Sequence, residues 1–411
     1  MSTATATGAD APTDSAAHKA LFASAIGYAM DGFDLLILGF MLRAISGELG
    51  LSPPQAGSLV TWTLVGAVVG GILFGVLSDK YGRVRVLTWT ILLFAVFTGL
   101  CALAQGYWDL LIYRTIAGLG LGGEFGIGMA LVAEAWPPAK RARACSYVAL
   151  GWQAGVLVAA LVTPLLLPAI GWRGMFLVGL IPGVIAFLVR WYVGEPQIFL
   201  DKAKDAAQRA AVLPLRLLVK DAATTKVSLG MLILCAVQNF GYYGVMIWLP
   251  SYLSTQFKFG LTQSALWTAV TILGMAIGIF AFGVFADRVG RRPALLTFQA
   301  GAFVMVLVYS QLTDATALLI GGAVMGLFVN GMLGGYGALL SELYPTEARA
   351  TAENVLFNLG RGVGGFGPFV VGALATGYGF SVAIALLAVI YLIDIVATLA
   401  LIPERKGARL E

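Results

Sequence analysis

The sequence predicts an all-α integral membrane protein, with twelve transmembrane helices in two parallel six-helix repeats. Three observations carry that prediction. Hydrophobic residues make up 59% of the 411 and charged residues only 11%, at a mean hydropathy of +0.88. A soluble domain carries about 25% charged residues, so a water-exposed surface cannot be assembled here and much of the surface must face lipid. Apolar runs long enough to cross a bilayer, roughly 20 residues each, follow one another along the chain. Two short polar motifs recur at one constant spacing.

Taken in order, the first six spans are expected at 20–43, 55–78, 86–105, 108–133, 142–168 and 172–193. Six more follow at 227–254, 262–286, 293–312, 315–340, 353–376 and 380–402. The break at 194–226 is the only long polar stretch and holds Asp201, Lys202, Lys204, Asp205, Arg209, Arg216, Lys220 and Asp221. It divides the chain into an N-terminal bundle, 20–193, and a C-terminal bundle, 227–402. Residues 1–19 lack a cleavable-signal pattern and are expected to form a disordered tail, with a second short tail at 403–411. The 52 glycines fit helices that approach closely within a membrane.

Positive residues decide the orientation. Lys80, Arg83, Arg85, Lys140, Arg141, Arg143, Arg288, Arg291, Arg292, Arg349 and six in the central break fall in alternate connections. The opposite connections hold only Arg43, Arg173 and Lys258. By the positive-inside rule both termini and the central loop face the cytoplasm. The net charge of +5 reflects this distribution and not a nucleic-acid surface.

Gly75, Asp79, Gly82 and Arg83 recur as Gly283, Asp287, Gly290 and Arg291, a shift of 208 residues. Glu134, Pro137 and Arg141 recur at the same shift as Glu342, Pro345 and Arg349. Two motifs at one offset mean duplicated halves of the same topology, a transporter design in which the site lies between the halves near the midplane.

These motifs resemble the major facilitator superfamily, and the resemblance covers the chain beyond its first tail. Arg114, followed by Gly118, Gly120, Gly122 and Gly123, is similar to the superfamily's fourth-helix motif. A narrower likeness rests on Asp31-Gly32-Phe33-Asp34, on Gly122-Gly123-Glu124-Phe125-Gly126, and on Pro345 to Thr351 running on to Asn358-Leu359-Gly360-Arg361. Together they resemble organic-acid:proton symporters of the sialate and lactate-like group, with features of the aromatic-acid group. The resemblance implies a multi-pass inner-membrane protein importing a small organic anion with H+ by alternating access, as a monomer and without cofactor or metal. A monocarboxylate or sialate-like acid ranks first and an aromatic acid second; a drug/proton antiporter of the same fold is the remaining alternative.

Ionisable groups inside a bilayer cost at least a few kcal/mol each, which makes every one a functional candidate. Asp31 and Asp34 share a face of the first helix. Two nearby carboxylates in a low dielectric do not both stay ionised easily, and the sole histidine, His18, lies in the tail. The pair is therefore the candidate for proton coupling. Glu124 is either a second proton carrier or a structural partner for the loops. Arg114 is placed to pair with Asp31 or Asp34, or to meet a substrate anion.

The 208-residue shift maps Asp31 and Asp34 onto Asn239 and Tyr242, a neutral hydrogen-bonding pair suited to substrate, with Gln238 and Tyr243 adjoining. Arg361, a lone cation deep in the second half whose repeat position is Gln153, invites a carboxylate. Asn330 and Asn358 complete the expected substrate contacts. Asp79, Arg83, Glu134, Arg141, Asp287, Arg291, Glu342 and Arg349 sit at cytoplasmic helix ends and are expected to form charge networks that gate the two halves. Asp394, in the last helix, is expected at a protein or lipid interface. Cys101, Cys145 and Cys235 show no metal or disulfide spacing and read as packing residues. No nucleophile, metal cluster or phosphate loop points to an enzyme.

Overall fold

A computed structural model describes residues 14–51, 53–190, 194–195, 214–259 and 261–407. Most of the expected N-terminal tail, most of the central loop with Asp201, Lys202, Lys204, Asp205 and Arg209, and the end of the C-terminal tail lie outside the described residues.

Among the described residues every regular element is helical. The first half holds α1 (Asp14–Leu49), α2 (Pro53–Tyr81), α3 (Arg83–Cys101), α4 (Tyr107–Ala135) and α5 (Arg141–Arg190). The last is two spans in one, broken where Gly171 takes a φ of 65°. A short turn of helix, Pro214–Leu217, precedes the second half. There, α6 (Ala222–Phe257), α7 (Leu261–Val289) and α8 (Arg291–Gln311) are followed by α9 (Ala315–Gly331) with α10 (Leu333–Leu343), α11 (Arg349–Gly364) with α12 (Gly367–Tyr378), and α13 (Phe380–Leu401). Pairs α9–α10 and α11–α12 are single spans with a bend, so the architecture is twelve spans. Nine helices among the described residues are long and apolar enough to cross a membrane by length and composition alone. The tail boundary shifts: α1 starts at Asp14, so residues 14–19 extend the first helix and are not a loose tail.

Both halves are assembled by the same contacts. Gly66 and Gly70 of α2 lie against the backbone carbonyls of Thr115 and Leu119 in α4. Gly274 and Gly278 of α7 lie in the same way against Ala323 and Leu327 of α9, each residue shifted by 208. No side chain fits between backbones so close, which is why small residues recur there. Between the halves, α2 packs on α11 and α5 on α7, while α4 meets both α10 and α11. Outward faces carry exposed Val69, Leu165, Ile181, Ile277 and Val396, side chains that hydrocarbon solvates without cost. Cys101, Cys145 and Cys235 are free and buried.

Candidate functional site

A cavity lies between the halves. From the first half it is walled by Tyr28 on α1 and Trp152 on α5; from the second by Gln238, Asn239, Tyr242 and Tyr243 on α6, Asn330 and Leu333 at the bend between α9 and α10, and Phe357 and Arg361 on α11. Six of the nine expected substrate contacts thus meet on one wall: Gln238, Asn239, Tyr242, Tyr243, Asn330 and Arg361.

The Arg361 guanidinium lies 5.5 Å from the centre of the Trp152 ring and 5.1 Å from that of Phe357. Its electrostatic neighbours are Tyr243, Tyr28 and Asp31. Arg361, expected as a lone cation within its own half, thus has an acidic neighbour. The acid comes from α1 of the other half, a proximity no single-half reading supplies. The remaining polar wall is partly self-paired: the Gln238 amide donates to Asn330 Oδ1 at 2.5 Å and the Trp152 indole to the Tyr242 hydroxyl at 3.2 Å. Gln238 Oε1 and Asn330 Nδ2 have no partner among the described residues, leaving an acceptor and a donor at the cavity.

Three expected contacts sit elsewhere. Arg114 donates twice to Asp34, at 3.0 and 2.7 Å, in a fully buried fork off the cavity wall. Asp34 thus lies by Arg114, whereas Asp31 lies by Arg361. The Asn358 amide donates to the carbonyls of Gly122 and Asn354, both at 2.9 Å, stitching α11 to α4. Gln153 is buried on α5 with neither end of its amide partnered among the described residues. Glu124, inside the first half, accepts from the Thr90 hydroxyl at 2.9 Å.

Towards the end bearing the repeated motifs, Phe357 of the cavity wall stacks on Phe125 across the halves at 3.7 Å, and Asn354 accepts from the Gly126 amide at 3.2 Å. Beyond it the eight expected gating residues form two clusters related by the repeat. In one, Glu134 accepts from Arg83 at 3.0 Å and, across the halves, from Arg349 at 2.7 Å. Asp79, paired with Arg83, accepts from the amides of Ala350 and Thr351 at 3.3 and 2.7 Å, at the N-terminus of α11. In the other, Glu342 accepts from Arg291 at 2.8 Å and across the halves from Arg141 at 3.0 Å. Asp287, paired with Arg291 at 3.1 Å, accepts from the amides of Ala142 and Arg143 at 3.2 and 3.1 Å. Exposed amides and the helix dipole make each such N-terminus an anion site.

Sequence reasoning missed several residues. Tyr28, Trp152 and Phe357 on the cavity wall carry no charge to draw attention, although Trp152 adjoins the flagged Gln153. Glu195 accepts from the amides of Arg83 and Arg85, and Glu404 from those of Arg291 and Arg292, so a carboxylate closes the start of α3 and of α8. Asp394 is corrected. It is wholly buried and accepts from the Gln299 amide of α8 at 3.0 Å, which also donates to Thr398 at 2.7 Å. A polar partner on the neighbouring helix draws it inward, away from lipid.

The profile of the Major Facilitator Superfamily matches residues 24–270 and 252–410. The chain belongs to that superfamily. It is 67% identical over 397 residues, 96% of this chain and 98% of the relative, to a Haemophilus influenzae protein described as a metabolite transport protein. It is 35% identical over 404 residues, 96% and 92% of the two chains, to a Cupriavidus pinatubonensis protein described as a 4-methylmuconolactone transporter. A sialic acid transporter of Escherichia coli is 28% identical over 379 residues, 91% of each chain. Among solved structures, a proton:xylose symporter superposes with a TM-score of 0.80 at 18% identity, covering 96% and 98% of the two chains, which speaks for the fold. The protein is thus a membrane transporter of this superfamily, and not an enzyme.

Proposed function

We propose that this transporter imports a small carboxylate together with a proton, by alternating access across the inner membrane. The observation that carries the reading is Arg361 at the cavity wall with Asp31 as its acidic neighbour. While Asp31 is charged it competes with any substrate carboxylate for the guanidinium. When Asp31 takes up a proton, Arg361 is released to bind the anion through its planar fork. Proton and substrate then load together, which is the requirement for symport.

Flanking rings favour a flat, conjugated or aromatic acid over a sialate-like one. The guanidinium sits beside Trp152 and Phe357, ring faces against which a planar ligand stacks. A polyhydroxylated sugar acid needs many hydrogen-bond partners, whereas Gln238, Asn330, Trp152 and Tyr242 are partly spent on one another. The order reached from sequence is therefore reversed, with the aromatic-acid class first. Asp34, held by Arg114, serves the architecture of α1 against α4.

Proteoliposomes decide the matter. Counterflow against a panel of lactate, sialate, hydroxybenzoate, muconate and hexose should select a planar acid. Asp31→Asn should keep counterflow while losing accumulation driven by an imposed proton gradient. Normal accumulation by that variant would remove Asp31 from the coupling step.

A further inference from the structure

One buried acid belongs to neither the cavity nor the paired gate clusters. Glu353 lies in the second turn of α11 with no exposure to solvent. Its Oε1 bonds the Ser341 hydroxyl of α10, and its Oε2 has no partner among the described residues. The charged and titratable groups facing it are Arg349 on its own helix, Glu134 from α4, Arg83 from α3 and Cys145 from α5. Of the other elements packed on α11, α2 presents Asp79 to the amides of Ala350 and Thr351, α10 presents Glu342, and α6 presents Cys235 and Ser228, the latter bonded to Tyr344. The two nearby cations are already engaged. Arg83 serves Glu134 and Asp79, while Arg349 serves Glu134 and the Ser341 carbonyl.

The repeat shows what the gate needs. Asp79 and Glu134 balance Arg83 and Arg349, just as Asp287 and Glu342 balance Arg291 and Arg141. The 208-residue shift takes Glu353 to Cys145 and Ser341 to Ala133, so the sister cluster closes with neither a third carboxyl nor its hydroxyl. Glu353 and Ser341 are a polar pair added to one cluster only. A third carboxylate in this dry seam, with both cations matched, is a buried unpaired charge, and buried ionisable groups without a partner neutralise instead.

We propose that Glu353 is a proton-binding site linked to the gate: it holds a proton while the motif-bearing end is sealed and gives it to water on that side when the seal opens. The proton moves from the carboxyl to solvent and nothing else is exchanged. Protonation stabilises the sealed state at low pH, and that contribution is lost as pH rises. Nothing in this depends on the cavity's ligand or on Asp31.

The test uses the full-length protein in nanodiscs without substrate, spin-labelled at Lys80→Cys and Glu347→Cys on either side of the seal. Glu134→Gln, which unseals the gate, serves as the control that the probe pair reports opening. In the parent, the long-distance population should grow as pH rises. Glu353→Gln should hold the short distance throughout, Glu353→Cys should do the same with the sister cluster's residue, and Glu353→Asp should restore the pH dependence. Infrared spectra should show a protonated-carboxyl band in the sealed parent that Glu353→Gln lacks. In an Asp31→Asn background Glu353→Gln should still abolish the pH dependence, which separates this site from the coupling site in the cavity. A Glu353→Gln profile that superimposes on the parent, or no loss of the infrared band, overturns the proposal.

Discussion

A guanidinium between two aromatic faces treats a carboxylate differently from an ammonium in the same place. Arg361 offers two parallel N–H donors in a rigid plane and stacks on rings, whereas lysine offers a point charge on a flexible stem. Each bond to a charged group is worth about 1.5–3 kcal/mol, so deleting the fork in Arg361→Ala should weaken substrate binding at least about 100-fold. Arg361→Lys should recover only part of that loss. The variants should insert and fold, since Arg361 reaches the cavity and its acidic neighbour Asp31 can take up a proton once the guanidinium is gone. Isothermal titration on purified protein reads the affinities, and unchanged binding in Arg361→Ala would move the anion site elsewhere. Asp34 should behave in the opposite manner. Truncating one member of a buried ion pair costs about 3–5 kcal/mol, so Asp34→Ala should lower thermal stability and expression, leaving Arg114 stranded between α1 and α4.

At the scale of helices, glycine placement sets how near two backbones come. A Cβ on Gly70 would collide with the Leu119 carbonyl, and one on Gly278 with the Leu327 carbonyl, while Gly47 has nothing within 4 Å of that position. Gly70→Ala and Gly278→Ala should therefore destabilise by similar amounts, about 1–3 kcal/mol for overpacking. Gly47→Ala should be neutral or gain up to about 1 kcal/mol from helix propensity. Thermal unfolding in detergent ranks the three, and a stable Gly70→Ala would mean that α2 and α4 do not pack as described. Helices themselves were legible in the sequence because apolar runs and lipid thickness determine them. Breaks were legible unevenly: Gly171 divides α5 by its positive φ and Gly364-Gly365-Phe366-Gly367-Pro368 marks the bend after α11, yet α9 bends at Met332, where the hydrophobic pattern continues unbroken. The gate charges could be paired off because each motif occurs twice. The cavity could not, because Tyr28, Trp152 and Phe357 read as core, and because Asp31 meets Arg361 only when the halves dock.

Two halves related by one shift make a molecule that can be sealed at one end and worked at the other. The seal lies where α2 and α4 end and α3 and α5 begin, and where α7 and α10 end and α8 and α11 begin. Those connections also carry the excess of lysine and arginine. α12, by contrast, packs on α6 and α13 of its own half. By the positive-inside rule the sealed end is proposed to face the cytoplasm. Lys220, next to the start of α6, and Lys258, at the far end of that helix, are both exposed and lie on opposite sides of the bilayer under this reading. Cys101, Cys145 and Cys235 are buried, so single cysteines at the two lysines report cleanly. In intact cells an impermeant maleimide should label Lys258→Cys and spare Lys220→Cys. Permeabilised cells should label both. Labelling of Lys220→Cys from outside intact cells would invert the topology, and with it the direction in which Glu353 and Asp31 are proposed to hand over their protons.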